Sequence, residues 1–256
     1  MWKDETLGPG LKRVLLRCLV LADKAVATDL RAARVRIKRA RAVLRMAEAL
    51  GAPWAATARR DLARLARNLG ATRNHRVVVD LAGACVPALK GKARLCALAL
   101  IETPCPSPNL AEWTRALARH RASLASKPWP TPKRDQLDAV LDASLRQARR
   151  QARHAAKGDS FHTWRTSVIT LREQLNVVDV RLTRKARTAR THLHRVARIL
   201  GDAGDWQTLI DALSNRHLPA ACTGGRRRLI KHARRRQRDC LRKALGFWKR
   251  LPDFQR

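Results

Sequence analysis

In 256 residues, 55 lysines and arginines face 20 acidic residues, leaving a formal charge of +35. Hydrophobic residues still make up 45% of the chain, enough for a folded core, which excludes a basic disordered tail. No run of about 18 uncharged apolar residues exists to span a bilayer, and the one leader-like stretch, 14–22, is interrupted by Arg17, so export is not expected.

Ala, Leu and Arg dominate and alternating β-branched runs are scarce, so the periodicity predicts helices throughout. In chain order they fall near 10–27, 29–50, 53–69, 74–86, 88–101, 109–125, 134–157, 160–182, 184–200, 205–215 and 226–250. Gly51, the prolines at 104–108 and 126–132, Gly158-Asp159-Ser160, the stretch 201–205 and Thr223-Gly224-Gly225 read as turns or loops. Val77, Val78 and Val79 are the one strand-like run, outweighed by their helical context. The expected fold is all-α, a single domain over 1–256, with the proline-rich break near 126–132 dividing it into helical halves 1–128 and 129–256.

The halves repeat at an offset of 131 residues. Arg34 falls on Arg165, Arg41 on Arg172, Leu44 on Leu175, Arg64 on Arg195, Arg67 on Arg198, Leu69 on Leu200 and Gly70 on Gly201. The register holds without a gap across two helices and the turn that follows, which points to an internal duplication.

Helical phasing orders the charge. At about 100° per residue, Arg31, Arg34, Lys38, Arg41 and Arg45 fall within roughly 80° of one another, beside an apolar seam of Leu30, Ala33, Ile37, Ala40 and Leu44. No acidic residue interrupts them, whereas a solvated face usually mixes signs. Like charges four residues apart destabilise a helix, so this row reads as an anion-binding surface. Its repeat is weaker: His162, Arg165, Ile169, Arg172 and Asn176. Further rows are Arg60, Arg64 and Arg67; Arg184, Arg187, Arg195 and Arg198, with His194; and Arg227, Lys231 and Arg235. Residues 146, 149, 150, 153 and 157 lie opposite their seam and read largely as solvated surface.

Arginine outnumbers lysine, and its planar fork suits phosphate oxygens. Aromatic residues are 4% of the chain, too few for base stacking on single strands, so composition favours phosphate over base recognition. Other chemistry is thin. Cys18, Cys85, Cys96, Cys105, Cys222 and Cys240 form no Cys-x-x-Cys pair and read as free thiols of a reducing compartment. His192 and His194 point about 200° apart on a helix and cannot share a metal. Asp202 and Asp205 are the best carboxylate pair, more simply read as caps of the 205–215 helix than as a metal or acid–base pair. No metal, cofactor or catalytic constellation is expected.

The stretch LRAARVRIKRARAVL at 30–44 resembles the first motif of the CHAD proteins, the conserved-histidine α-helical domain, and FHTWRTSVITLREQL at 161–175 resembles the second. Leu69-Gly70 with Asn74, and Leu200-Gly201 with Asp205, resemble the family's Leu-Gly turn and its aspartate. The similarity runs from about 10 to 250. Arg31 stands where the family's first histidine belongs, Asn74 where its first aspartate belongs, and Ile169 and Thr170 where two basic residues belong. The resemblance implies two pseudo-symmetric four-helix bundles around a basic central pore that binds inorganic polyphosphate, with a weaker second half. It further implies a cytoplasmic protein, associated with polyphosphate granules, that is not an enzyme. The alternative from charge alone is a helical protein binding DNA or RNA phosphates; a phosphate-hydrolysing enzyme using Asp202 and Asp205 is the third reading.

Overall fold

Asp29, Asn109 and Ser160 each stand just before a predicted helix. In the computed structural model, which describes residues 6–158, 160–179, 182–215 and 222–251, each caps one. Asp29 accepts the Ala32 N–H at 2.9 Å, Asn109 that of Glu112 at 3.0 Å, and Ser160 that of His162 at 3.4 Å. These oxygens satisfy amides that a first helical turn leaves without partners. Gly51, at φ +93°, lets the chain leave its helix through a left-handed conformation that a β-carbon disfavours.

The helices are α1 (Leu7–Val26), α2 (Leu30–Ala49), α3 (Trp54–Asn68), α4 (Gly70–Cys85), α5 (Lys92–Ile101), α6 (Leu110–Ala125), α7 (Arg134–Ala156), α8 (Phe161–Val177), α9 (Arg184–Asn215) and α10 (Thr223–Lys249), with a 3-10 turn at Val86–Ala88. No strand occurs among the described residues, and the all-α expectation holds. Val77, Val78 and Val79 are helical within α4.

Three boundaries correct the sequence reading. Leu69 alone separates α3 from α4, which begins at Gly70 instead of residue 74. The helices expected at 184–200 and 205–215 are one, α9, running through Gly201 and Gly204. Each mid-helix glycine costs about 1 kcal/mol, and burial of Leu200, Ala203 and Leu209 offsets it. Asp202 and Asp205 therefore lie inside a helix and do not cap one. Lastly, Thr223-Gly224-Gly225 is the first turn of α10, not a loop. The turn expected at Asp159, and residues 180–181 of the 160–182 helix, lie outside the described residues.

Two compact units form, each from both sides of the proline-rich break. The first holds the chain up to Leu69 together with Asn109–Arg195, hence α1–α3, α6–α8 and the start of α9. Here α1 packs on α2, α7 on α8, and α2 contacts α3, α7 and α8. Its core includes Leu11, Leu15, Leu19, Ile37, Leu44, Trp113 and Trp164, all essentially inaccessible. The Trp113 indole N–H donates to the Leu65 carbonyl at 3.1 Å, so its polar end is satisfied.

The second unit comprises Gly70–Pro108 and Val196–Lys249, with Val78, Cys85, Cys96, Leu100, Leu209, Leu213 and Leu229 in its core. The start of α10 packs on α5 so closely that a Cβ at Gly225 would meet the Lys92 carbonyl oxygen at 2.0 Å. Gly225→Ala should lower stability by about 1–3 kcal/mol. Gly224→Ala, whose Cβ would find only Lys92 Cδ at 3.9 Å, should be neutral or slightly stabilising. Thermal unfolding of the two variants separates them.

The offset of 131 persists in the element boundaries. Shifted by that amount, the start of α2 falls on the start of α8, and the start of α5 on the start of α10.

Candidate anion-binding site

α2 is the hub of the first unit, so most of its circumference is occupied by neighbours and its cations are pressed to the borders. Arg31 is exposed in the first turn, while Arg34, Lys38, Arg41 and Arg45 are half-buried. Arg34 Nη1 donates to the Ala66 carbonyl of α3 at 3.0 Å, one of the oxygens a helix end leaves without a partner. Arg45 Nη1 donates to Thr170 Oγ1 of α8 at 3.2 Å.

Arg41 lies between these two and has no comparable relief. Its Nε is buried with no hydrogen-bond acceptor. Burial, then the charges of Arg45, Arg59 and Arg67, push its pKa below the ordinary arginine value, and no carboxylate opposes them. Arg45 is likewise lowered by burial and by Arg59, against which Glu48 acts only in part. A desolvated guanidinium surrounded by others is costly unless an anion joins it.

Arg59 was not singled out from the sequence, although its phase was legible. It stands between Ala55 and Leu62 of the buried seam, whereas its neighbour Arg60 faces away. Arg59 holds Glu48 at 2.9 Å and 3.4 Å. Of the α3 row, Arg67 approaches Arg41, but the other two are not brought to it. Arg60 bonds Thr57 at 3.1 Å, and Arg64, with its side chain 72% exposed, pairs with Asp61 at 3.1 Å.

The second-half row is weaker, and for a reason the sequence reading missed. Glu173 is buried, its side chain 2% exposed, and accepts Arg39 Nε at 2.9 Å and Arg172 Nε at 3.0 Å. Burial raises its carboxyl pKa, but the Arg172 charge and the Arg39 hydrogen bond outweigh this and hold it below the usual glutamate range. Arg172 is thus engaged inside the fold. Arg165 is half-buried and His162 is exposed in the first turn of α8. His194 joins the Glu173 group, its pKa lowered by burial and by Arg172.

Arg184, Arg187 and Arg195 are exposed on α9. Arg198, Arg227, Lys231 and Arg235 belong to the second unit and are exposed on α9 and α10. On α7, Arg146, Arg150, Arg153 and Lys157 are exposed, as the solvated-surface reading expects. Asp205 pairs with Arg73 of α4. Among the described residues no three His, Cys, Asp or Glu side chains gather as metal ligands, and no helix is long and apolar enough to cross a membrane.

The family model for the CHAD domain matches residues 13–186, more than half of the chain, from α1 into α9. No curated protein sequence matches the chain.

Proposed function

Since the chain belongs to the CHAD-domain family, which is associated with polyphosphate, we propose that it binds inorganic polyphosphate along the α2–α3 face of its first unit and performs no reaction on it. Arg41 is the observation that carries this reading: a half-buried guanidinium with an unsatisfied Nε, ringed by Arg45, Arg59 and Arg67. A phosphate oxygen supplies both the missing acceptor and the missing counter-charge. Arg34, Lys38 and Arg45 extend the same border to either side, and Arg165 and His162 are the second half's contribution. A flexible chain with one charge per phosphoryl unit meets such a row one residue at a time.

The affinity comes from many charge-assisted contacts and the release of counterions, so it falls steeply with salt. For about four neutralised phosphates, the logarithm of the association constant should drop with a slope of roughly −3 against the logarithm of salt concentration, by analogy with single-stranded nucleic acid. Titration of long-chain polyphosphate at several salt concentrations measures it. Charge reversal at Arg34 and Arg41 should abolish binding at physiological salt. Unchanged binding in that variant, or displacement of polyphosphate by duplex DNA at equal phosphate concentration, would overturn the reading in favour of a nucleic-acid partner. Release of orthophosphate from polyphosphate that depends on Asp202 and Asp205 would overturn the absence of catalysis.

A further inference from the structure

α2 carries a second set of guanidiniums that the row does not use. On its border with α1, Arg36 and Arg39 join Arg13 and Arg17 of α1 and Asn176 at the end of α8 around a cavity of about 270 Å³. No carboxylate lines it. Glu173 reaches it from behind, accepting Arg39 Nε at 2.9 Å and Asn176 Nδ2 at 3.3 Å, and that single charge is shared with Arg172. Cys18 lines the same cavity, and burial holds its thiol pKa up at about 11 although Arg39, Arg36 and Arg17 all act to lower it. The thiol therefore stays neutral and does not offset the arginines.

Packing does not require these charges. A shift of 131 residues carries Arg13, Arg36 and Arg39 onto Ser144, Ser167 and Thr170, and those three line a cleft of about 760 Å³ between α7, α8 and the end of α2. The partner position from the other half exchanges too, with Arg45 in that cleft where Asn176 lines the first. The same helix arrangement thus exists with hydroxyls in place of three guanidiniums. Four arginines converging without a lining carboxylate repel one another, a cost that the repeat shows to be avoidable.

We propose that the α1–α2 cavity is a separate binding site for a compact inorganic phosphate of two or three phosphoryl groups, pyrophosphate or tripolyphosphate. Its size suits a short anion enclosed by side chains, and several planar forks match closely spaced phosphoryl oxygens better than one monovalent ion would. It shares no residue with the Arg34–Arg45 row, so it stands whether or not long-chain polyphosphate is the ligand there.

Calorimetric titration of the full chain with pyrophosphate, and separately with long-chain polyphosphate, tests the site in Arg17→Gln/Arg36→Ser and in Arg41→Gln, with sulfate as the control for bulk charge. Arg39 is left intact because it holds Glu173. The double variant should weaken pyrophosphate binding roughly tenfold or more, the loss of two charge-assisted contacts, with a much smaller effect on the long chain. Arg41→Gln should do the reverse. If the double variant fails to fold, Arg17→Gln, on an exposed position of α1, should give the same pattern at smaller size. The proposal fails if wild type does not bind pyrophosphate more tightly than sulfate. It fails equally if Arg41→Gln weakens pyrophosphate as much as the α1–α2 substitutions do.

Discussion

Arg41→Gln should raise the melting temperature of the protein while weakening its hold on polyphosphate. The two effects share one cause. In the free protein Arg41 is half-buried, its Nε has no acceptor, and Arg45, Arg59 and Arg67 oppose its charge. Removing that charge relieves desolvation and repulsion together, worth about 1 kcal/mol, or roughly 2–4 °C for a chain of this length. With polyphosphate bound, the same guanidinium supplies a charge-assisted hydrogen bond worth about 1.5–3 kcal/mol, so affinity should fall roughly tenfold to a hundredfold. A residue kept for stability would move both measurements downward; one kept for a ligand moves them apart. Arg64→Gln is the contrast, since its pair with Asp61 is exposed and adjacent in the same helix. It should leave melting nearly unchanged and cost little affinity. Thermal unfolding with and without polyphosphate reads both quantities in one experiment. A lower melting temperature in Arg41→Gln with affinity intact would remove Arg41 from the site.

The helices and the α2 row were legible in the sequence because both follow from a 3.6-residue period. Ile37, Ala40 and Leu44 mark the seam, and the phase of Arg34, Lys38, Arg41 and Arg45 beside it puts them at a border, where they are half-buried. Phase alone did not say which neighbour each border meets. Arg36 and Arg39 lie on the α1 side, and only the packing of α1 brings Arg13 and Arg17 to them. The Leu-Gly signal at 200–201 was read as a turn because glycine commonly ends helices, but α9 continues there on the burial of Leu200 and Ala203. The duplication that was visible at 69–70 and 200–201 thus gives a break in one half and a continuous helix in the other. Arg60 and Arg64 were grouped with Arg67 by spacing, yet the seam through Ala55, Leu62 and Leu65 turns the first two outward. What the row itself does not contain is its counter-charge, and the buried one sits at Glu173, in a helix whose other charges are basic.

Glu173→Gln should be the most destabilising single substitution in the first unit outside its apolar core. The carboxylate is buried and bridges Arg39 of α2 and Arg172 of α8, so its loss leaves two guanidiniums close together with no charge between them. Breaking one side of a buried ion pair costs about 3 kcal/mol, or roughly 6–12 °C in melting temperature for this length. The sign with pH follows from the depressed pKa. Burial alone would raise it, but Arg172 and Arg39 prevail, so the folded value lies below the unfolded value of about 4.3. The stabilisation is therefore complete above that unfolded value and is lost as pH falls through the folded one. Wild type and Glu173→Gln should differ by the full amount at neutral pH and converge in acid. Equal melting temperatures at neutral pH, or a gap that persists at low pH, would mean that Glu173 does not bind the two arginines as an ion. The same bridge explains why the second half is the weaker anion binder: the carboxylate that joins α2 to α8 already occupies Arg172, the residue equivalent to Arg41. Arg41 has no such partner, and the duplicated positions have thereby divided, one arginine serving the fold and the other left for a ligand.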